Sequence, residues 1–292
     1  MSEIAKFKIE IRDSLKSKRT YKTKSLDAYS SLLSSLLKNL KLPLKLESFT
    51  KYKGKILAFT RSNKQAIQTN KTRLSALYVM TGIEQYRELM IELCNIVNEK
   101  YKEQKMNPKQ KENRITFAEV EEKVEEVRDI LDEEESEENH VNYLLLAFMT
   151  GATPGIYPRR NEYANVKIKN YNKDTDNYLQ GKTITFNNYK TFKKYGKQEV
   201  KIPVSLYRDV KRWLKVNDTD YLFTNKGKPF NSSTLSKRLH KIFGGIIGVN
   251  ELRSIFISRY YQDMPNLKMM DDIHTAMGHS SSIGQTVYTK KD

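Results

Sequence analysis

The chain has 292 residues, of which 38% are hydrophobic and 30% are charged, a composition that predicts a folded protein of one large or two ordinary domains. Its 52 lysines and arginines exceed its 35 aspartates and glutamates, and the net charge of +17 favours a polyanionic partner such as nucleic acid. The longest apolar run, Tyr143–Met149, is far shorter than the roughly 20 residues that cross a bilayer, so no membrane partner is expected. The first residues contain no apolar segment and Cys94 is the single cysteine, so we expect an intracellular protein that is not secreted and has no internal disulfide.

The N-terminal third of the chain predicts helices throughout. Apolar residues recur at three- and four-residue spacing from Leu26 to Leu40, with Ser25 as the predicted N-cap. Seven basic residues of this region are predicted to lie on exposed helix faces: Lys51, Lys53, Lys55, Arg61, Lys64, Lys71 and Arg73. Such a surface suits a clamp that holds a duplex by its phosphates, which fixes position without reading sequence.

A polar stretch that contains Pro108 and lacks apolar periodicity follows these helices. We therefore predict a helical domain at 1–106, a linker at 107–113 and a second domain at 114–292.

The charge is distributed in blocks along the chain. Residues 1–111 carry a net charge of +14 and residues 141–292 carry +13, whereas residues 112–140 carry −10. Two basic modules could grip a polyanion from two sides while the acidic part faces away. The simpler interpretation of the acidic stretch is a solvated helix with a frayed end.

Beyond the linker the pattern is mixed. A buried helix is predicted at 139–150, and three strand-like runs follow at Tyr163–Ile168, Thr183–Phe186 and Gln198–Val204, the last two joined by the lysine-rich hairpin KTFKKYGK. Helical patterns return at 206–216, 232–243, 249–262 and 266–277.

Four short motifs lie in this second domain. They are Pro158-Arg159-Arg160-Asn161-Glu162, Tyr189-Lys190-Thr191, Asn250-Glu251-Leu252-Arg253, and Met277-Gly278-His279-Ser280-Ser281 followed by Tyr288. Each is weak alone, because a single arginine is usually a surface residue and a single tyrosine usually belongs to the core. In this order and spacing they resemble the tyrosine recombinase (integrase) family, and PRRNEYANVKI and YKTFKKYGKQ are most similar to integrases encoded by large DNA viruses or their satellite elements.

The resemblance implies a fold and an activity. The expected fold is an α-helical N-terminal core-binding domain followed by a mixed α+β catalytic domain with a small three-stranded antiparallel sheet. The expected activity is site-specific recombination or integration, in which double-stranded DNA is cleaved and rejoined through a 3′-phosphotyrosyl intermediate without metal, ATP or another cofactor. Members of this family commonly act as homo-oligomers, usually tetramers, on DNA.

The resemblance also implies roles for the motif residues. Tyr288 is the expected nucleophile, and a tyrosyl ester stores the energy of the broken bond for resealing. Arg159 and Arg253 are expected to bind the nonbridging phosphate oxygens, for which the planar guanidinium is suited. His279 would hydrogen-bond the same phosphate, and Lys190 would protonate the departing 5′ oxygen.

Two further motif residues have supporting roles by the same resemblance. Glu162 matches an acidic position that supports the site rather than contacting DNA. Asn250 stands where the family usually has His or Lys, and an amide can donate a hydrogen bond to phosphate but cannot accept the tyrosine proton as a base. The predicted DNA contacts outside the catalytic set are Arg160, Lys193, Lys194 and Lys197 in the second domain and Lys51, Lys53, Lys55, Arg61 and Lys64 in the first.

Two other functions stay open from the sequence. A type IB topoisomerase uses the same kinds of catalytic residue but needs only one active site and one duplex. A catalytically silent DNA-binding protein of the same fold is the alternative outside enzymology, although such a protein has no use for Tyr288.

Overall fold

The computed structural model describes residues 2–62, 66–106, 111–225, 227–245, 247–262, 264 and 266–276. The chain divides into two compact units, one formed by Met1–Lys105 with Pro265–Asp292 and the other by Met106–Met264. Within the described ranges, no helix is both long and apolar enough to cross a bilayer.

The structure is mostly helical. The described helices are α1 (Glu3–Lys18), α2 (Thr23–Asn39), α3 (Ser48–Lys51), α4 (Lys53–Arg61), α5 (Ile67–Thr81), α6 (Glu84–Lys102), α7 (Phe117–Glu133), α8 (Glu137–Met149), α9 (Phe192–Tyr195), α10 (Val204–Val216), α11 (Ser232–Phe243), α12 (Val249–Tyr260) and α13 (Leu267–Ala276). The strands are β1 (Tyr178–Gln180), β2 (Thr183–Phe186), β3 (Gln198–Lys201), β4 (Thr224–Asn225) and β5 (Lys228–Pro229).

The first unit is built from amphipathic helices. Helix α1 buries Phe7, Ile11 and Leu15, which recur every four residues and so share one face. Helix α2 packs against α1 and α5, and α5 packs against α6. The buried Tyr86 hydroxyl donates a hydrogen bond to the Phe49 carbonyl (2.6 Å), which ties α6 to α3.

Two sequence predictions for this unit are wrong in detail. Helix α2 begins at Thr23 with Lys22 as its N-cap, so Ser25 lies inside the helix. The apolar periodicity begins only at Leu26, but solvent-exposed residues extend the helix by one turn upstream. The sequence also predicts one continuous periodic helix over 49–59, but this stretch is divided into α3 and α4 at Tyr52.

Arg73 is also not on an exposed face, contrary to the sequence prediction. Its side chain is buried, and Nη1 donates to Asn70 Oδ1 (3.1 Å). Asn70 in turn donates from Nδ2 to the Thr60 carbonyl (2.9 Å), which links α5 to α4. Burial lowers the pKa of the Arg73 guanidinium. Arg73 is therefore part of an internal polar network.

The second unit is organised around α8. Residues from Tyr143 to Met149 on this helix are all buried, which agrees with the predicted buried helix. Helix α7 covers one side of it through Val120, Val127 and Leu131, and α10 and α12 also pack against it.

A three-stranded antiparallel sheet in the order β1-β2-β3 lies in this unit. Strand β2 agrees with the prediction, but the predicted strand Tyr163–Ile168 is wrong, because Tyr163–Asn165 form a 3₁₀ turn. The side chains of Tyr163, Ala164 and Val166, in and just after this turn, are buried in the core. Their apolar character gives the sequence its strand-like pattern although the backbone is not extended. The third strand is instead β1, which pairs through Tyr178 with Thr185. The predicted last strand ends at Lys201, and Val204 already begins α10.

The acidic stretch is a helix, as interpreted, but its carboxylates are not all left to solvent. Asp132 and Glu135 accept from Arg212 of α10 at 3.0 and 3.5 Å. Glu138, at the start of α8, pairs with Arg238 (2.6 Å) and Lys241 (2.8 Å) of α11. Part of the negative charge is therefore matched by basic residues of the same unit.

Candidate active site

The first candidate residue, Arg159, lies on the loop that follows α8. This loop begins at Gly151, whose φ of +82° is in the left-handed region that favours glycine. A Cβ at this position would be 2.2 Å from the ring of Phe256 on α12. Phe256 also meets the ring of Tyr157 edge-on, with 6.0 Å between the centroids. Helix α12 therefore packs on the loop that carries Arg159.

Aromatic rings hold the Arg159 side chain. The guanidinium carbon is 4.1 Å from the ring centroid of Phe186 at the end of β2 and 5.2 Å from that of Tyr189. These are cation–π distances, which restrict the guanidinium without using its hydrogen-bond donors. Nε is buried without a hydrogen-bond partner, and no carboxylate pairs with Arg159 in the part of the chain that the structure describes. The terminal N–H groups of the side chain are thus left for an external anion.

Glu162 lies in the same segment and is buried. Its Oε2 atom has no hydrogen-bond partner among the described residues. Burial raises the pKa of the adjacent Tyr163 well above its ordinary value, the positive charge of Arg159 opposes the rise, and the charge of Glu162 adds to it. Arg159 and Glu162 are therefore both close enough to Tyr163 to act on it electrostatically. Asn161, between them, donates to Ser232 Oγ (2.7 Å) and so anchors the segment to the start of α11.

Lys190 lies in the connection between β2 and β3. Its side chain is exposed, and no ion pair or hydrogen bond engages it within the described ranges. The preceding residue, Tyr189, donates its hydroxyl hydrogen bond to the Gly196 carbonyl (2.5 Å), which closes the connection into a compact loop. Because Tyr189 also contacts Arg159, the segments that carry Arg159 and Lys190 touch each other.

The other lysines of this loop differ in their pairing. Lys193 and Lys194 are exposed on α9, and the ammonium of Lys194 lies 5.1 Å from the ring centroid of Tyr195. Lys197 forms an ion pair with Glu199 (2.9 Å), and this hydrogen bond raises the pKa of Lys197. A phosphate would have to compete with Glu199 for Lys197.

Arg253 and Asn250 lie in the first turns of α12. The carboxylate of Glu251 accepts from the Gly248 backbone N–H (3.2 Å), which stabilises the helix start. Asn250 is exposed and Arg253 is partly exposed. Arg253 is three residues before Phe256, so the two are neighbours on the helix surface. Through Phe256, the helix that carries Arg253 contacts the loop that carries Arg159.

The remaining predicted residues fall into two groups. His279, Tyr288 and Lys64 lie outside the described residues. Of the residues described, Arg160, Lys51, Lys55 and Arg61 are exposed and Lys53 is partly exposed. The ammonium groups of Lys51 and Lys55 lie 5.6 and 5.9 Å from the ring centroid of Tyr52, whereas Arg61 has a distant ion-pair partner in Glu92 at 3.8 Å.

Sequence reasoning missed the aromatic residues that hold the candidate site. The sequence pattern places Phe186 only in a strand and Tyr189 only directly before Lys190. Their contacts with Arg159 join distant parts of the chain, so no local periodicity reports them. The one sequence signal was the placement of two aromatic residues beside the lysine-rich hairpin.

Two cavities of about 350 and 230 Å³ lie elsewhere in the second unit. The larger is lined by residues that include Arg128 and Tyr143, and burial raises the pKa of Tyr143 to about 12. The smaller is lined by residues that include His140 and Trp213. Neither cavity is lined by Arg159, Glu162, Lys190, Asn250 or Arg253, the predicted catalytic residues that the structure describes.

No protein-family model matches the chain, and no curated protein matches it at a significant level. Among solved structures, a crystal structure of XerA recombinase is similar to it with a TM-score of 0.35 and 16% identity, covering 99% of this chain and 95% of that chain. What the candidate site can do therefore has to follow from its own residues and their geometry.

Proposed function

We propose that this chain is a site-specific DNA recombinase or integrase of the tyrosine recombinase type. One observation carries the proposal. The Arg159 guanidinium is held by Phe186 and Tyr189, pairs with no carboxylate of the described chain, and lies against the loop that presents the unpaired Lys190. Arg159 and Lys190 are expected to act on oxygens of the same phosphate, and they thus lie on segments that contact each other.

The proposed reaction is a transesterification. The Tyr288 oxygen attacks phosphorus and forms a 3′-phosphotyrosyl ester, while the bond between phosphorus and the 5′ oxygen breaks. Arg159 and Arg253 donate to the nonbridging oxygens, where negative charge builds up in the transition state, and His279 donates to the same phosphate. Lys190 gives its proton to the departing 5′ oxygen. A 5′ hydroxyl then attacks the ester and reverses these steps, so that no metal or ATP is required.

Two residues support this chemistry without taking part in bond exchange. Glu162, which is buried three residues after Arg159, supports the segment that carries Arg159 without contacting DNA. Asn250 donates a hydrogen bond to the phosphate, and water or another group accepts the Tyr288 proton because an amide is not a base.

The basic residues around this centre and on the first unit contact the DNA backbone in this proposal. Lys193, Lys194 and Arg160 are exposed and pair with no carboxylate of the described chain, which suits phosphate contacts that position the duplex. Lys51, Lys53 and Lys55 serve the same purpose from α3 and α4. Recombination between two duplexes further requires several copies of the chain, most simply a homotetramer.

The test is to incubate the full chain with nicked suicide duplexes that carry the terminal sequences of its own genome, in the presence of a metal chelator. A recombinase gives a covalent protein–DNA adduct on a denaturing gel, and two duplexes with compatible sites give joint products. An adduct with plasmid relaxation but no joint products would indicate a topoisomerase instead. DNA binding without any adduct would contradict the proposal in favour of a silent DNA-binding protein.

A further inference from the structure

Tyr189 is the residue that contacts both cationic elements of the candidate site. Its ring centroid lies 5.2 Å from the guanidinium carbon of Arg159, and its hydroxyl donates to the Gly196 carbonyl at 2.5 Å. Its backbone is bonded directly to that of Lys190. The ring packs partly buried against the core of the second unit and meets Phe192 edge-on at 5.8 Å.

The ring and the hydroxyl have separable contacts. The ring, together with Phe186, limits the positions that the Arg159 side chain can occupy while leaving its terminal N–H groups for an anion. An arginine fixed by ring contacts loses less conformational freedom when it binds phosphate than a mobile one does.

The hydroxyl acts on the loop. Gly196 has a φ of +64° at the end of α9, just before β3, and its carbonyl accepts the Tyr189 hydroxyl. This hydrogen bond joins the two ends of the segment that contains Lys190, Lys193 and Lys194. The loop is otherwise held by β2 and β3, by the single turn of α9, and by hydrogen bonds of Asn187 and Asn188 with Asn177 at its start.

We propose that Tyr189 is a positioning residue that fixes Arg159 through its ring and the Lys190 loop through its hydroxyl. This inference rests on the proposed function, because it assigns both cations to one scissile phosphate. Tyr189 itself contacts no reacting atom in this scheme. Its two contacts fix the position of Arg159, which binds the phosphate, relative to the loop of Lys190, which protonates the leaving oxygen.

The test separates the two contacts in the full chain. Tyr189→Phe keeps the ring and removes the hydroxyl, Tyr189→Leu removes both, and Tyr195→Phe is a matched control at an exposed tyrosine of the same loop. Each variant is assayed for single-turnover cleavage of an ordinary duplex and of one whose 5′-bridging oxygen is sulfur. A thiolate leaves without protonation, so the sulfur substrate does not need Lys190.

We expect Tyr189→Phe to cleave ordinary DNA roughly tenfold to a hundredfold more slowly, as a displaced catalytic group would, and to recover most of the loss on the sulfur substrate. Tyr189→Leu should be slow on both substrates, because displacement of Arg159 is not bypassed by a better leaving group. Tyr195→Phe should match the wild type on both. A general loss of folding would instead lower all rates equally and lower the melting temperature.

If the wild type cleaves DNA and Tyr189→Phe is unaffected, or is equally slow on both substrates, the inference is wrong and the proposed function stands. If the wild type cleaves no DNA, the proposed function fails, and trypsin digestion still tests the loop contact. Tyr189→Phe should then be cut after Lys193 and Lys194 several-fold faster than the wild type and than Tyr195→Phe. Equal digestion rates would overturn the inference on this measurement as well.

Discussion

Arg159 and Arg253 are held in different ways although they are expected to bind the same phosphate. Two aromatic rings restrain Arg159 on its loop, whereas Arg253 projects from the second turn of α12. Either arrangement leaves a guanidinium with no carboxylate partner within the described part of the chain. Because neither guanidinium is occupied by a carboxylate of the described chain, both positions suit stabilisation of charge on a bound phosphate.

Replacing either arginine by alanine should reduce the single-turnover cleavage rate on the order of 10²-fold or more, since each donates to oxygens that gain charge in the transition state. The dissociation constant for the same duplex should change much less, because many basic residues share the ground-state contacts. Arg208→Ala, at an exposed arginine of α10, is the control and should cleave normally. A normal rate in Arg253→Ala would show that the site is misassigned.

Lys190 is distinguished from its neighbours by a leaving-group experiment. Lys190→Ala should cleave ordinary DNA poorly and recover on the duplex with a 5′-bridging sulfur, because that leaving group needs no proton. Lys193→Ala and Lys194→Ala should show weaker DNA binding and no such selective recovery. If recovery is found only in one of these two variants, the general acid is that lysine.

The limits of sequence reasoning are clearest at single residues. The motifs around Arg159, Lys190 and Arg253 are local patterns and could be read directly. Their ring contacts could not, because they depend on how β2 and the loop after α8 meet in the folded unit. Arg73 was mispredicted for a related reason: periodicity does not reveal that a polar side chain has an internal acceptor such as Asn70.

At the scale of elements, the helices were predicted better than the sheet. Helix α11 was predicted at its observed bounds, because its apolar residues follow the helical period closely. Residues 163–168 have the apolar pattern of a strand, but Tyr163–Asn165 form a 3₁₀ turn. The pattern misleads because a turn can bury these apolar side chains in the core as well as a strand can. Strand β1 is only Tyr178–Gln180, too short for alternation to mark it.

The close approach of Phe256 to Gly151 allows a test of how α12 packs on the loop after α8. Gly151→Ala should destabilise the protein by about 1–3 kcal/mol or more, because the residue has a positive φ and its new Cβ would overlap the Phe256 ring. The measurement is urea unfolding of the full chain. Gly54→Ala is the control, since nothing lies within 4 Å of a Cβ there. Gly54 is the second residue of α4, where alanine should leave stability nearly unchanged or raise it by less than the roughly 0.5–1 kcal/mol gained in a helix interior. Equal stabilities for the two variants would contradict the packing described.

For the whole molecule, the block distribution of charge has a structural explanation. The acidic stretch contributes ion pairs to α10 and α11 of its own unit, as Glu138 does with Arg238 and Lys241. The lysines of α3, α4 and the loop between β2 and β3 make no comparable pairs with the residues that the structure describes, apart from Lys197 with Glu199. Positive charge therefore remains on the surface of both units, where a polyanion can reach it.

If the first unit contacts phosphates through α3 and α4, removing its lysines must change the salt dependence of binding. The combined variant Lys51→Gln, Lys53→Gln, Lys55→Gln should reduce the slope of log affinity against log salt by about 0.9 for each lost phosphate contact, or roughly 2–3 in total. The control with the same loss of charge is Lys16→Gln, Lys18→Gln, Lys22→Gln, at the end of α1 and the start of α2. Equal slopes for the two variants would show that only net charge matters and that no clamp exists at α3 and α4.

The central claim is that Tyr288 forms the covalent bond to DNA, and peptide mapping tests it most directly. After trapping on a nicked suicide duplex, the adduct is digested with nuclease and protease, and the modified peptide is identified by mass spectrometry. The proposal predicts a nucleotide remnant on Tyr288, no adduct in Tyr288→Phe at unchanged DNA affinity, and a normal adduct in the control Tyr261→Phe, an exposed tyrosine after α12. A remnant on another residue, or an adduct that persists in Tyr288→Phe, would contradict it.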